Sequence, residues 1–168
     1  SLLPFYHAYP LMVTMLLPIL SGAKISFPLY YDFQEIMKCM RKTGVTIFVG
    51  VPRVFSLLHQ KIKKTIKSLF IAKRFLLILL LKASLPLRKY TGLNLAKFIL
   101  ADLRSRFGKK LRFMISGGAK LNRNIAYDFY SWGFTIFEGY GLTETSPVVA
   151  FNTSGGYRIG SVGRPIPN

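Results

Sequence analysis

Glu138-Gly139-Tyr140-Gly141-Leu142-Thr143-Glu144-Thr145-Ser146-Pro147 is the segment that indicates the fold most directly. The β-branched and aromatic residues Thr135-Ile136-Phe137 directly before it predict a strand, so the glycines follow that strand's carboxyl end. Ligands of open α/β sheets bind at the carboxyl ends of the strands. The segment therefore predicts a ligand site at one edge of a sheet.

The residue types in this segment suit a nucleotide. Gly139 and Gly141 let the backbone approach a ligand closely, and Tyr140 offers a flat face on which a base can stack. Thr143 offers a hydroxyl to a phosphate, and Glu144 offers the hard carboxylate oxygen that Mg²⁺ prefers. Taken alone, these residues are equally compatible with an ordinary glycine-rich turn.

A second turn of small residues strengthens the nucleotide interpretation. Ser116-Gly117-Gly118-Ala119-Lys120-Leu121 follows a strand predicted over Leu111–Ile115 and precedes a helix predicted from about Asn122 to Trp132. Two such turns at neighbouring strand ends can form one wall of a nucleotide pocket. The amino end of the following helix adds a dipole that favours an anion.

The rest of the chain alternates helices and strands. The patterns predict a loop over residues 2–10, a helix from Leu11 to Leu17 that Pro18 kinks or ends, and strands at Lys24–Pro28, Val45–Val51 and Val148–Phe151. Asp32 is the predicted cap of a helix that Gly44 ends, and Pro52 opens the next helix. Pro86 and Gly92 are predicted to divide the helices between residues 56 and 108. This rhythm indicates an α/β fold with a largely parallel sheet and flanking helices.

Four ordered motifs resemble those of the acyl-adenylate-forming (AMP-binding) superfamily. Glu138–Pro147 is similar to its signature, and Ser116–Leu121 is similar to its adenine-side loop. Leu3-Pro4-Phe5-Tyr6-His7 and Gly160-Ser161-Val162-Gly163-Arg164-Pro165 are similar to its upstream and downstream motifs. With Val51-Pro52-Arg53-Val54-Phe55 and a long basic insertion, the chain looks most like a long-chain fatty acyl-CoA synthetase. The resemblance implies that residues 1–168 are part of the large N-terminal domain of such an enzyme.

The resemblance also implies roles for individual residues. Tyr140 would stack on adenine, with Gly117, Gly118 and Ala119 on the other side of the base, and Thr143 would bind phosphate while Glu144 holds Mg²⁺. Glu138, Gly139 and Gly141 would complete the cofactor-binding set. His7 would lie at the carboxylate end of the acyl pocket and is assigned, with Thr143 and Glu144, to the catalytic residues. A lone histidine in an aromatic loop is more often structural, but the preceding Leu-Pro-aromatic pattern favours a site role for His7. His59 lacks such a context and is predicted to lie at the surface.

The implied reaction uses fatty acid, ATP, Mg²⁺ and coenzyme A. A fatty carboxylate attacks the α-phosphorus of ATP and releases pyrophosphate, and the thiol of coenzyme A then takes the acyl group. The family's lysine-bearing phosphate loop is expected before Ser1, and its ribose-binding aspartate and catalytic lysine are expected after Asn168. We therefore expect an internal segment of a longer enzyme that is inactive on its own. Other adenylating enzymes, which load carrier proteins or activate aryl or amino acids, remain one alternative. A basic structural module that binds membrane or nucleic acid is the other.

The basic insertion, residues 56–108, is the least conventional part of the sequence. The formal net charge is +18, and residues 61–123 hold 17 of the 24 basic residues with Asp102 as the one acid. Lys and Arg mixed with Leu, Ile and Phe favour a peripheral anionic membrane surface, and a solvated basic face is the simpler alternative. Nucleic acid is the less favoured partner because no recognition motif is present. A cytoplasmic location at the inner face of a membrane follows from this interpretation, and a homodimer is compatible with exposed core.

Overall fold

The computed structural model describes residues 3–30 and 32–167 and has a five-stranded mixed sheet at its centre. Ser1, Leu2, Tyr31 and Asn168 lie outside the described residues, so the loop predicted over residues 2–10 is described only from Leu3 onward. The strands lie in sequence order as β1 (Ile47–Gly50), β2 (Phe113–Ser116), β3 (Ile136–Tyr140), β4 (Ala150–Phe151) and β5 (Arg164–Pro165). β1, β2 and β3 are parallel, whereas β4 runs antiparallel to β3 and β5 runs antiparallel to β4. The predicted α/β class is confirmed, and the predicted strand before Glu138 extends through the Glu-Gly-Tyr motif.

The first helical segment begins earlier and ends later than the sequence predicts. It consists of α1 (Ala8–Pro10), a π-helical stretch (Leu11–Leu16) and α2 (Leu17–Leu20). Pro18 does not end it, and the chain continues through this proline in helical conformation directly after the π-helical stretch. The buried Thr14 hydroxyl donates to the carbonyl of Pro10 at 2.7 Å inside the π-helical stretch.

The strand predicted over Lys24–Pro28 is wrong. The segment forms no ladder in the described part of the chain. A cavity of about 530 Å³, lined by Ile25 and Ser26 on one side and Ile47 and Phe48 on the other, separates it from β1. Since a strand needs a partner for its backbone groups, the segment stays irregular here.

The next helix is capped and ended as the sequence predicts, and the helix after it begins at the predicted proline. In α3 (Phe33–Thr43) the carboxylate of Asp32 accepts a hydrogen bond from the N–H of Gln34 at 3.0 Å. Gly44 follows in the left-handed conformation with φ of 65°, which only glycine adopts without cost. Pro52 begins α4 (Pro52–Lys67) at its first turn.

Between β1 and β2 the chain forms four helices: α4, α5 (Ile71–Thr91), α6 (Ala96–Ile99) and α7 (Ala101–Phe107). Pro86 does not divide α5 as predicted. It lies on the exposed face, and the carbonyl that loses its partner is that of Lys82, which is also exposed and can bond water. None of the described helices is long and apolar enough to span a bilayer.

Aromatic side chains dominate the core on the helical side of the sheet. Phe55 of α4 and Phe129 of α8 (Arg123–Ser131) are fully buried, with ring centroids 6.1 Å apart. His59 joins this cluster instead of lying at the surface. It stacks on Trp132 at 5.4 Å, and its Nε2 lies 2.7 Å from the carboxylate of Asp128. No local pattern indicates this pair, because its two members are far apart in the chain.

Candidate functional site

A cavity of about 620 Å³ opens at the carboxyl ends of β2 and β3. Its volume falls within the range of small-molecule sites, and its position is the one that open α/β sheets use. Three segments surround it: the loop and helix start at residues 3–13, the ends of β1 and β2, and the loop after β3. Its lining residues are Leu3, Pro4, His7, Ala8, Tyr9, Pro10, Val13, Val51, Ile115, Gly118, Gly139, Tyr140, Gly141, Leu142, Thr143, Glu144, Pro147, Val148 and Phe151.

The loop after β3 is held by contacts that need glycine at residue 141. A β-carbon on Gly141 would lie 1.6 Å from the carbonyl oxygen of Pro147. A short 3₁₀ turn, Thr143–Thr145, then forms, and the Thr145 hydroxyl accepts the N–H of Leu142 at 2.9 Å. The chain then turns back to pair with β3 as β4, and the N–H of Val149 donates to the carbonyl of Tyr140 at 2.8 Å. The sequence motif is thus a closed loop that presents its central residues to the cavity.

Three predicted site residues lie together on this wall. Tyr140 is half-exposed, and Thr143 and Glu144 are exposed on the 3₁₀ turn. Among the described residues, no Lys, Arg or His nitrogen lies within 4.0 Å of the Glu144 carboxylate. A ring face, a hydroxyl and an unpaired carboxylate are therefore all presented to the same cavity.

His7 lines the same cavity from the opposite segment. It precedes α1 in extended conformation and its ring lies 4.4 Å from that of Tyr6. The side chain is exposed and makes no cap hydrogen bond to the helix that follows. The His7 imidazole therefore does not cap α1, and it lies on the wall of the cavity.

The predicted adenine-side loop is only partly open to the cavity. Gly118 lines it, whereas Ala119 is exposed outside the lining and Gly117 is buried. The ring of Tyr9 covers Gly117, and a β-carbon on that glycine would lie 2.6 Å from the ring. Tyr9 is the residue that the sequence interpretation missed. Its hydroxyl lies 3.5 Å from the carbonyl of Gly50, and burial raises the pKa of its phenol, so the ring stays neutral.

Glu138 does not line the cavity. Its carboxyl group is buried beside the motif, where the backbone N–H groups of Gly160 and Leu121 donate to it. Burial raises the pKa of Glu138, while those two hydrogen bonds and the charge of Lys120 partly offset the rise. Glu138 therefore ties the downstream Gly160 segment and the Ser116–Leu121 turn to β3.

The site fits Mg²⁺ only as a metal that a substrate helps to hold. No cluster of three or more His, Cys, Asp or Glu exists among the described residues. Glu144 supplies one carboxylate, and Mg²⁺ commonly binds through one or two carboxylates, water and substrate phosphates. The single carboxylate that the 3₁₀ turn presents is therefore consistent with this mode of Mg²⁺ binding.

The apolar 530 Å³ cavity beside Lys24–Pro28 adjoins this site. Val13 and Ile115 line both cavities. Leu17, Ile25, Ile36, Met40 and Phe48 contribute to the lining of the second cavity, which contains no acidic side chain. The cavity at the sheet edge and the cavity beside β1 are thus neighbours that share part of one wall.

Comparison with known proteins identifies the family. A family model described as AMP-binding enzyme matches residues 1–168. The chain belongs to the AMP-binding enzyme family. Among curated relatives, long chain acyl-CoA synthetase 7 of Arabidopsis thaliana is 27% identical over 99% of this chain and 24% of its own length. Long-chain-fatty-acid–CoA ligase 1 of Cavia porcellus is 28% identical over 99% of this chain and 24% of its own.

Solved structures of two other proteins share the fold. ATP-bound MatB from Rhodopseudomonas palustris superimposes with a TM-score of 0.62 at 24% identity, over 98% of this chain and 25% of its own. An anthranilate CoA ligase, AuaEII, in complex with anthranoyl-AMP gives 0.62 at 19% identity over the same shares. This AMP-binding chain thus spans about a quarter of the length of the relatives it matches.

Proposed function

We propose that the complete protein containing this chain is an ATP-dependent long-chain fatty acid–CoA ligase. A fatty carboxylate oxygen attacks the α-phosphorus of ATP, and pyrophosphate leaves. The thiol sulfur of coenzyme A then attacks the acyl carbon, AMP leaves, and the thiol proton is released. The observation that carries the proposal is the gathering of His7, Tyr140, Thr143 and Glu144 around one cavity at the sheet edge.

The chemistry of these side chains suits adenylation. Transfer at phosphorus depends on positioning and on stabilising developing charge more than on a protein nucleophile. Tyr140 supplies a stacking face for the base, Gly118 a close backbone approach and Thr143 a hydroxyl for phosphate. Mg²⁺ held by Glu144 and the phosphates would neutralise charge on the leaving pyrophosphate.

The substrate assignment rests on the adjoining apolar cavity. An alkyl chain gains free energy when it leaves water, at about 0.8 kcal/mol per buried methylene. The cavity beside β1 offers such surroundings, and Val13 and Ile115 line both this cavity and the one at the sheet edge. The names of the curated relatives that span nearly the whole chain support the same substrate class.

The test measures pyrophosphate release by the complete natural protein with ATP, Mg²⁺ and a panel of carboxylates, with and without coenzyme A. Release that requires a long-chain fatty acid, with acyl-CoA as product, is expected. Release with aryl or amino acids instead would keep the adenylation chemistry and reject the fatty acid. No release with any acid would reject the proposal.

Two substitutions test the site itself. Thr143→Ala and Glu144→Ala should each lower kcat for pyrophosphate release on the order of a hundredfold, since each removes a group aimed at developing charge. The matched controls are Thr153→Ala, an exposed threonine, and Glu35→Ala, a part-buried glutamate of α3 that pairs with Lys38; both residues lie outside the cavity lining. If the control variants lost as much activity, the assignment of the cavity would be wrong.

A further inference from the structure

The exposed face of α5 is unusually apolar. Ile71, Phe75 and Leu79 recur at helical spacing and expose 72%, 70% and 54% of their surface, and Leu76 exposes 54% beside them. Phe70, directly before the helix, exposes 73%. Isolated apolar residues on a surface are ordinary, but a contiguous patch marks a place of interaction.

The opposite face of α5 fixes this orientation. Leu81 and Ser84 are buried on this face, and the side chain of Arg88 points from it toward the core. The guanidinium of Arg88 lies 3.6 Å from the ring centroid of Tyr130 and donates to the Thr135 hydroxyl at 2.7 Å and the Phe134 carbonyl at 3.2 Å. The helix is therefore held so that its apolar stripe faces away from the core.

Cations surround the start of the stripe. Lys64 and Lys67 lie in the last turn of α4, and Lys73 lies in the first turn of α5, all exposed. No acidic residue occurs anywhere between Glu35 and Asp102. Among the described residues, none of these three lysines has a carboxylate within ion-pair distance. The surface thus combines unpaired positive charge with exposed aliphatic and aromatic side chains.

We propose that the exposed face of α5, together with the lysines of the α4–α5 turn, docks on the surface of an anionic lipid bilayer. The helix would lie in the plane of the interface, with Phe75 and Leu79 among the acyl chains and the lysines at the headgroups. A second copy of this chain is a poor occupant, because the unpaired lysines beside the apolar residues would face the same lysines of the other copy. A nucleic acid would pair with the lysines and leave the apolar stripe in water.

This surface is separate from the proposed ligase site. Among the described residues, none of those lining the two cavities belongs to α5. Pyrophosphate release with a water-soluble carboxylate therefore reports on folding and on the active site, independently of membrane binding. Failure of the docking proposal and failure of the proposed function would be distinguishable.

The experiment is flotation of the complete natural protein with phosphatidylcholine vesicles that contain or lack phosphatidylglycerol, over a range of salt. We expect binding only to the anionic vesicles and weaker binding as salt rises. Since each lysine near the surface strengthens binding about fivefold, Lys64→Gln/Lys67→Gln/Lys73→Gln should lower the partition coefficient on the order of a hundredfold. Arginine at the same three positions should restore it.

The matched control removes equal charge from another surface. The control variant is Lys38→Gln/Arg41→Gln/Lys42→Gln on α3, a helix whose large apolar side chains are not exposed. Vesicle binding by this variant should be unchanged. Phe75→Gln/Leu79→Gln should also abolish binding, which a purely electrostatic contact would survive. Equal losses in the α3 variant would overturn the proposal.

A direct probe locates the contact. In Phe75→Trp the added tryptophan emission should shift to the blue and be quenched by brominated lipid in anionic vesicles, whereas Leu29→Trp, at another exposed position, should show neither effect. Binding to duplex nucleic acid without binding to vesicles would overturn the proposal. So would a stable dimer that protects Phe75→Trp from lipid, or no binding to any of these partners.

Discussion

The ring of Tyr9 packs on the backbone of Gly117 so closely that no β-carbon fits between them. Such a carbon would lie 2.6 Å from the ring, well inside van der Waals distance. The two residues come from different motifs: Tyr9 lies two residues after His7, and Gly117 begins the turn after β2. Their contact joins the amino-terminal segment to the predicted adenine-side loop.

Gly117→Ala should therefore destabilise the protein through Tyr9. Overpacking of this kind costs about 1–3 kcal/mol, and displacing Tyr9 should also raise KM for ATP. In a Tyr9→Ala background the same substitution should cost much less, because the clashing ring is absent. A double-mutant cycle by urea unfolding measures the coupling. Additive costs would show that the ring and Gly117 do not interact.

Gly141 makes the tightest backbone approach in the site. A β-carbon there would overlap the carbonyl of Pro147, so Gly141→Ala must open the loop that holds Thr143 and Glu144. We expect pyrophosphate release to fall on the order of a hundredfold, the cost of displacing positioned groups by about an ångström.

Gly155→Ala is the matched control for this prediction. Residue 155 has open space around it and an ordinary backbone conformation, so activity and melting temperature should be unchanged. Retention of full activity by Gly141→Ala would contradict the tight loop.

The two histidines should respond to substitution in opposite ways. His59→Ala removes a part-buried partner of Asp128 and a ring stacked on Trp132, so stability should fall by about 1–3 kcal/mol. His7→Ala, at an exposed position, should leave the free energy of unfolding within about 0.5 kcal/mol of the parent while lowering ligase activity. Denaturant unfolding and pyrophosphate release measured on both variants check this, and the reverse pattern would reject both assignments.

Glu138 should make stability depend on pH. Its pKa in the folded protein lies above the ordinary value of 4.5, mainly because burial disfavours the carboxylate. As pH rises, the unfolded chain therefore loses the Glu138 proton before the folded chain does. The protonated Glu138 carboxyl thus contributes to stability at low pH, and this contribution is lost as pH rises from about 4.5 through the folded pKa. Glu138→Gln removes this loss, because its neutral amide can still accept a backbone hydrogen bond.

The measurement is unfolding of both proteins across this pH range. The variant should gain stability relative to the parent as pH rises, and the two should converge in acid. A constant difference at all pH values would show that Glu138 titrates alike in both states. Because Glu138 is buried beside the site, KM for ATP should be measured on the same samples.

Local sequence patterns predict much of the fold. The Asp32 cap, the Gly44 stop and Pro52 at a helix start each act within a few residues, and all three were predictable. The continuation of α5 through Pro86 and the irregular conformation of Lys24–Pro28 were not predictable. The exposed carbonyl of Lys82 lets α5 continue through the proline, and a missing ladder partner keeps the segment after α2 irregular. Both outcomes depend on surroundings that the local sequence does not contain.

Short-range patterns in the chain are enough to establish the family, the parallel order of the central strands and the presence of Tyr140, Thr143 and Glu144 at a strand end. Strands, turns and caps form among neighbours in the chain, which is why these features can be predicted. Three other features are set by tertiary packing: Tyr9 covers Gly117, Glu138 turns away from the cavity and His59 pairs with Asp128. Each depends on residues brought together from distant segments, where packing and the need to satisfy buried polar groups select the contact.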